Sequence, residues 1–309
     1  MSLQSRKKAF GALTSRFQCE RPGPLIARHK IQSSLFKRLQ TVTAIYMSKC
    51  LGKNEFILDE NELLQRFEKD YEKILNITPN GMIVPKRHTI LEYNLLVQTF
   101  SMIIETLCIQ DLISSWHIPL NVRIKFGEAS EENLQRHHPT EHVHSDSWAG
   151  ESSESVTTMI MIFGDVERNH ISFYDPPSDF EEEWLRPRPT YLDGKVVADR
   201  YSRVNMIPEK GDLLVSDFAG LHSSTRLPNA QTRVSIDTTF VLKKTADHRT
   251  AESIHQWREG ERAEPLALDS LGEKSLFYFP DSVDQHVDSE GGFKHPTNLE
   301  VISFPDSEH

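Results

Sequence analysis

The chain has 309 residues, with 35 lysines and arginines against 45 aspartates and glutamates, so its formal net charge at neutral pH is -10. A chain of this length can bury a sizeable core in one large domain with extensions. Apolar residues make up 38% and charged residues 26% of the sequence, which is typical of a soluble globular protein. The acidic balance argues against nucleic acid as the partner, because binding a phosphate backbone depends on lysine and arginine.

The cysteines and the apolar runs indicate a cytoplasmic protein. Cys19, Cys50 and Cys108 are widely spaced and form no CxxC pair, which predicts free thiols rather than a zinc or redox motif. The basic N-terminus lacks the continuous apolar core of a signal peptide. The longest apolar run, residues 93–118, is interrupted by polar and acidic residues, so we expect no membrane span. The oligomeric state stays open.

The pattern of apolar residues changes near residue 120. Upstream, apolar residues recur at helical spacing, whereas downstream short β-branched and aromatic runs alternate with clusters of Pro, Gly, Asn and Asp. This combination predicts an α+β protein in which N-terminal helices flank an antiparallel sandwich or barrel. The expected regions are a flexible N-terminal arm at 1–32, a helical support region at 33–119, a β-rich core at 120–244 and a C-terminal extension over the core at 245–309.

Two amphipathic stretches define the helical region. In residues 58–75 the apolar positions follow a cap candidate, Asp59, at the spacing of one helix face. Residues 89–115 have a wider apolar face, as expected of a helix packed against a sheet. A short helical stretch is also expected at 250–258. The predicted strands lie at 121–127, 155–164, 170–175, 195–201, 211–218 and 232–242.

The segment EHVHSDSWAGES, residues 141–152, holds an HxD triplet and is either a metal site or a polar loop. On an extended strand, His144 and Asp146 point to the same face and bring an imidazole and a carboxylate to one point. Non-haem Fe(II) oxygenases use two histidines and one carboxylate, so a further ligand must come from elsewhere. The triplet alone is weak evidence, because a chain with 14 histidines should contain about one by chance. A second copy, at His286 and Asp288, lies in the polar tail and has no arginine after it.

The segment PEKGDLLVSDFAGLHSSTRLPNAQTRVSIDTTF, residues 208–240, supplies that context. His222 opens one predicted strand, and Arg233 opens the next eleven residues later, so a hairpin would bring the arginine beside the histidine. Over roughly residues 120–244 this ordered set resembles the Fe(II)/2-oxoglutarate-dependent dioxygenases. The resemblance implies a double-stranded β-helix, which is a jelly-roll, cupin-like fold. It also implies three iron ligands, namely His144, Asp146 and His222.

The same resemblance implies a binding site for 2-oxoglutarate. Arg233 and Ser235, in an R-x-S arrangement, are expected to hold the distal carboxylate, since a guanidinium can bind a carboxylate through two parallel hydrogen bonds. Thr158 or its neighbour Thr157 is expected to reach the carboxylate on the metal side. The implied reaction uses O2 and the keto acid to hydroxylate an unactivated C–H bond and releases succinate and CO2. Desaturation, cyclisation and epimerisation use the same ligands and stay open.

The stretch HSDSWAGES is similar, more narrowly, to members of this family associated with carbohydrate or antibiotic biosynthesis. That similarity implies a small polar substrate, such as a sugar, an aminocyclitol or an amino-acid derivative. Three of the candidate contacts have an alternative role: Arg123 would pair with the acidic surface, His142 would be a metal ligand or support one, and Trp148 would pack a lid. The charged segment 179–194 is either such a lid or a solvated loop. The candidate substrate contacts are Arg123, His142, Trp148 and Glu151.

Two other classes of function compete with the oxygenase hypothesis. A cupin-like module that binds a metal or small ligand without turnover has no need of Arg233 and Ser235 after the second histidine. A peptidyl hydroxylase would need a wider, exposed groove. The ordered set of motif residues favours the oxygenase over both.

Overall fold

The protein combines helices with antiparallel sheets, which confirms the mixed α+β class. The helix expected at 250–258 and the second HxD copy lie outside the described residues. The computed structural model describes residues 1–52, 55–71, 74, 77–78, 80–117, 120–129, 134–243, 262–263, 275–279 and 300–303.

The helices form mainly where apolar periodicity predicts them. Asp59 caps α3, because its Oδ1 accepts a hydrogen bond of 2.9 Å from the backbone N–H of Glu62. The segment expected to be helical at 89–115 divides, and its last residues begin a strand. The expected strand at 195–201 is wrong, since a short helix forms there despite two adjacent valines. The helices are α1 Leu3–Thr14, α2 Ser33–Cys50, α3 Glu60–Asp70, α4 Ile90–Glu105 and α5 Lys195–Ala198.

The strands form three antiparallel sheets within the described residues. The largest has nine strands in the order β1-β2-β9-β6-β11-β4-β12, with β5 also on β11 and β3 on β5. A three-stranded sheet has the order β10-β7-β8, and β13 pairs with β14. The strands are β1 Glu20–Gly23, β2 Ile26–Lys30, β3 Met82–Ile83, β4 Ile113–His117, β5 Asn121–Lys125, β6 Ser155–Gly164, β7 Asn169–Asp175, β8 Ser202–Arg203, β9 Asp212–Asp217, β10 Leu221–Arg226, β11 Arg233–Leu242, β12 Arg262–Ala263, β13 Ser275–Tyr278 and β14 Glu300–Ser303.

Residues 1–32, expected to be a flexible arm, are folded onto the sheet. They form α1 and the hairpin β1–β2, and β2 pairs with β9 over five residues. Arg6 explains the difference, because its side chain is only 1% exposed and bonds to Asp217 at 2.8 Å and Glu182 at 2.6 Å. A basic residue that suggests a solvated arm in the sequence is thus part of a buried ion-pair network.

The two larger sheets enclose a space between them. Alternate residues of β11, such as Val234 and Ile236, face away from this space and pack in the cluster that also holds the helices. A second apolar cluster fills part of the space with residues from β2, β6, β7 and β9, so strands of both sheets contribute to it. The facing side chains of β11, among them Arg233 and Ser235, therefore point into the inter-sheet space.

The hairpin expected between the strands of His222 and Arg233 does not form. β10 pairs with β7 in the smaller sheet, whereas β11 pairs with β4, β5 and β6 in the larger one. The two residues thus approach the inter-sheet space from different sheets.

Each of the three cysteines is a free thiol. No helix in the described part of the chain is long and apolar enough to cross a bilayer.

Candidate metal centre

His144 and His222 are held side by side by backbone hydrogen bonds. They form an isolated antiparallel bridge, with His144 N–H to His222 O at 2.9 Å and His222 N–H to His144 O at 2.8 Å. Their ring centroids lie 4.3 Å apart. The bridge adds a single point of pairing to the outer edge of β10 and fixes both imidazoles on the inter-sheet side.

Asp146 reaches the histidines from the start of a 3-10 helix rather than from an extended strand. The helix spans Asp146–Ala149, and Ser145 caps it by accepting from Ser147 N–H. Ser145 also donates to the carbonyl of Phe218 at 2.9 Å, which ties this turn to the turn before β10. The predicted convergence is therefore present, but a helical turn produces it instead of strand alternation.

One ligand atom from each of these three residues lies within 4.8 Å of the other two. The Oδ1 atom of Asp146 is 3.7 Å from Nε2 of His144 and 3.6 Å from Nε2 of His222. Two imidazoles and one carboxylate on one side of a point leave other coordination positions open, which suits non-haem iron. His142 is not part of this group.

The protonation of His144 suits metal binding. Its Nδ1 lies 2.7 Å from the carbonyl oxygen of His142, which can only accept, so Nδ1 carries the proton and Nε2 is available to a metal. Burial, reinforced by the charge of His222, lowers the pKa of His144 well below its usual value. Burial also raises the pKa of Asp146, and the neighbouring His222 opposes that shift. A bound cation would favour the ionised carboxylate.

Tyr191 covers this centre and was missed by the sequence analysis. Its ring stacks on His144 with centroids 4.0 Å apart and an interplanar angle of 19°. It belongs to the segment 179–194, whose covering role was one of the two interpretations of that charged run. Trp148 anchors the segment, since its Nε1 donates to the carbonyl of Trp184 at 2.7 Å and a Cβ on Gly194 would lie 2.1 Å from its ring.

Arg233 is a buried cation with unused hydrogen-bonding capacity. It is 1% exposed, and its Nη1 contacts Met161 Sδ at 3.6 Å and Ser235 Oγ at 3.5 Å. Its Nε has no hydrogen-bond partner among the described residues. Burial, with the nearby charges of Arg123 and Arg226, lowers the pKa of Arg233 to about 10. A buried guanidinium without a carboxylate is costly unless a ligand supplies one.

The strand register places Ser235 beside Arg233 but corrects the role expected of Thr158. Thr158 pairs with Thr238, which lies on the helix-facing side of β11, and its hydroxyl donates to the Thr238 carbonyl at 3.1 Å. Its side chain therefore faces away from Arg233. Thr157 pairs with Thr239 on the inter-sheet side, so the neighbouring threonine has the required orientation.

Arg123 lies in the inter-sheet space but is already paired. Its Nε and Nη2 donate to the two carboxylate oxygens of Asp237 at 2.9 and 3.0 Å. Burial alone would lower the pKa of Arg123, but Asp237 outweighs it, and the charge of Asp146 raises it further. Asp237 was missed, although it continues the period-2 pattern of Arg233 and Ser235 and could have been read from R-x-S-x-D.

The other predicted substrate contacts surround the ligand group in different ways. His142 is half-buried, and its carbonyl orients His144. Trp148 is fully buried as the anchor of the covering segment, which favours the packing interpretation. Glu151 follows the 3-10 helix, is 8% exposed, and its charge raises the pKa of Asp146.

Comparisons with known proteins give only remote structural likeness. No family model matches the chain, and no curated protein matches it. Similar solved structures include the α-ketoglutarate-dependent epimerase SnoN of nogalamycin biosynthesis (12% identity, 77% of this chain and 83% of that chain, TM-score 0.36). They also include the carbocyclase SnoK of the same pathway (12%, 76% and 89%, 0.39), and an N-substituted L-amino acid dioxygenase from Burkholderia ambifaria (10%, 78% and 89%, 0.38). Because these TM-scores are below 0.5, a functional assignment for this chain rests on its own residues.

Proposed function

We propose that this protein is an Fe(II)- and 2-oxoglutarate-dependent oxygenase that hydroxylates a small polar molecule. One observation carries the proposal: a convergent group of two imidazoles and a carboxylate shares the inter-sheet space with a buried arginine that has no ion-pair partner among the described residues. Metal ligands alone would suit a binding module. The arginine adds a site for an anionic cosubstrate, which an oxygenase of this class requires.

The arrangement of strands supports a double-stranded β-helix as the scaffold. The larger sheet contains the run β5-β11-β6-β9, and the smaller sheet contains β10-β7-β8 with the His144 bridge on its edge. From β5 to β11 the chain therefore passes back and forth between two facing sheets of four segments each. Such alternation is the basis of a jelly roll. The core boundaries of 120–244 and a cytoplasmic location remain predictions.

The residues fit the proposed cofactors by their donor chemistry. Imidazole nitrogens and a carboxylate oxygen would hold Fe(II), and the free Nε of Arg233 would donate to the distal carboxylate of the keto acid. When bound, iron would activate O2, which is the oxidant, and 2-oxoglutarate would supply two of the electrons that O2 takes up as the keto acid is converted to succinate and CO2. Thr157, rather than Thr158, is oriented to assist near the metal.

Residues of the chain would then orient the keto acid and keep water away from the metal ligands. Arg233 fixes one end of the keto acid, so its other end is directed toward the ligand group. The carbonyl of His142 keeps Nε2 of His144 unprotonated. Tyr191 covers one face of that imidazole and shields it from solvent. Excluding water at such a site limits side reactions of the oxidant.

Anaerobic spectroscopy tests the proposal. Fe(II) and then 2-oxoglutarate are added to wild type, His222→Ala and Arg233→Met, and the weak visible charge-transfer band of a chelated keto acid is recorded. Wild type should give the band, His222→Ala should lack it, and Arg233→Met should need much more keto acid. No band in folded wild type would contradict the proposal. Metal binding without a band would favour the cupin-like module, and turnover of peptides alone would favour the peptidyl hydroxylase.

A further inference from the structure

A row of polar side chains lies on the inter-sheet face of the larger sheet, next to Ser235. Asp237 of β11 accepts two hydrogen bonds from Arg123 and one, of 2.9 Å, from Asn121 Nδ2. In the strand register Arg123 lies opposite Ser235, and Asn121 lies opposite Asp237. Asp237 follows Arg233 and Ser235 on the same face of β11, so the row begins next to the residues proposed to bind the keto acid.

The row is partly exposed and lies in the inter-sheet space that also holds the ligand group. The side chains of Arg123 and Asp237 are 17% and 12% exposed, and that of Asp146 is 27% exposed, whereas Arg233 is only 1% exposed. The row therefore lies nearer to solvent than Arg233 within the same inter-sheet space.

The row carries donors and acceptors but no net charge. Arg123 and Asp237 cancel in a bidentate pair, and Asn121 is neutral. The pair leaves N–H groups on the guanidinium able to donate to a ligand, since within the described residues Nη1 makes one long bond of 3.4 Å to the Asn80 carbonyl. Charged ligands would have to disrupt this pair, whereas hydroxyl groups can both accept from Arg123 and donate to Asp237.

We propose that the row Asn121–Asp237–Arg123 is the substrate-recognition wall and that it selects a neutral, polyhydroxylated small molecule. This inference rests on the proposed function. It narrows the substrate from polar metabolites in general to compounds with neighbouring hydroxyl groups and no formal charge near the reacting carbon. A buried polar site of this kind discriminates strongly against ligands that leave its groups unpaired.

Three probes with one ring skeleton test the wall. Methyl β-D-glucopyranoside is neutral, D-glucuronate is anionic and D-glucosamine is cationic. Their binding to the anaerobic Fe(II)–2-oxoglutarate protein is measured by calorimetry in wild type, Asp237→Asn and Arg123→Gln. Asp199→Asn is the matched control, because it removes the acid of an exposed ion pair with Lys195 at 2.7 Å.

Wild type should bind the neutral glycoside best. Asp237→Asn leaves Arg123 unpaired and should move the preference toward glucuronate, and Arg123→Gln should move it toward glucosamine, each by about tenfold or more. The control should keep the wild-type order. If a single variant unfolds, the double variant Arg123→Gln, Asp237→Asn is measured instead. Its wall is still neutral, so it should keep the wild-type order with weaker binding.

The outcomes separate the wall from the proposed function. If the keto-acid band is present but wild type prefers a charged probe, binds no probe, or has the same order of preference as both single variants, the wall is wrong and the oxygenase stands. For the double variant, a reversed order of preference among the three probes would also contradict the proposed recognition role of the row. If wild type gives no keto-acid band, the proposed function fails and the inference fails with it.

Discussion

The guanidinium of Arg233 is buried, and no carboxylate among the described residues forms an ion pair with it. Arg233→Met should therefore raise the free energy of unfolding of the ligand-free protein, by about 1–3 kcal/mol, because the cost of an unpaired buried charge is removed. The variant should also lose the increase in Tm that 2-oxoglutarate causes in wild type. Urea denaturation and thermal melts with and without the keto acid measure both effects.

Arg226 provides the control for this substitution. It is a half-buried arginine, with 14% of its side chain exposed, and it donates to Glu141 at 2.8 Å. Arg226→Met should destabilise the protein, since it removes the shorter of the two ion pairs of Glu141 and leaves only the contact with Lys125 at 3.4 Å. Equal destabilisation by both substitutions would mean that Arg233 is a structural residue rather than a ligand-binding one.

Asp175 gives a pH-dependent prediction at the same scale. Its Oδ1 is buried without a hydrogen-bond partner among the described residues, and burial raises the pKa of Asp175 from 3.8 to about 6. Because the pKa of this carboxyl is higher in the folded state than in the unfolded state, its contribution to the free energy of unfolding is lost as pH rises from 3.8 through about 6. Asp175→Asn should thus increase the urea midpoint at pH 8 more than at pH 5. An equal gain at both pH values would contradict this cause.

Three residues show why only part of the site could be predicted. His144, Asp146 and His222 could be found because their spacing is local and their chemistry is distinctive. Tyr191 could not, since nothing in its own neighbourhood indicates that the chain folds back over a histidine 47 positions earlier. The expectation for Thr158 failed because strand alternation gives two opposite faces, and the sequence alone does not identify which face is inside.

At the scale of elements, α1 depends on one buried network. Arg6 is 1% exposed and joins α1 to Asp217 of β9 and to Glu182 of the covering segment. Arg6→Met should lower the free energy of unfolding by about 3–5 kcal/mol, since it leaves the buried carboxylate of Asp217 without its cation. Urea denaturation at neutral pH measures the effect.

Arg16 is the matched control in the same N-terminal region. It pairs with Asp111 at 3.0 Å, but the two side chains are 44% and 60% exposed. Arg16→Met should therefore cost at most about 1 kcal/mol. If both substitutions had equally small effects, α1 would be held by its apolar face alone and the buried network would be dispensable.

The elements that were predicted correctly are those specified by local pattern. α3 follows its cap at Asp59, and β6 has the predicted bounds of 155–164, because a continuous β-branched and apolar run is bounded by turn residues. The pairing of β10 and β11 was predicted wrongly because partners of these strands lie 40 or more residues away in sequence. Long-range pairing is decided by the packing of whole sheets, which local pattern does not contain.

At the scale of the whole molecule, the local charge at one end of the inter-sheet space is opposite in sign to the net charge of the chain. The chain carries a net charge of -10, yet Lys125, Arg226 and Arg233 lie at one end of the inter-sheet space with Glu141 as their nearby acid. Burial lowers the pKa of Lys125 to about 7. The attraction of Glu141 opposes this shift, and the charges of Arg123, Arg226 and Arg233 add to it. A local excess of positive charge inside an acidic protein suits an anionic cosubstrate, and composition alone could not have indicated it.

The most direct measurement is a crystal structure of the protein with Fe(II) and 2-oxoglutarate, grown without oxygen, with anomalous diffraction collected at the iron edge. We predict one iron peak bonded to His144, Asp146 and His222, and keto-acid density whose distal carboxylate contacts Arg233. A peak elsewhere, or a peak at these ligands with no keto acid at Arg233 under saturating conditions, would contradict the account.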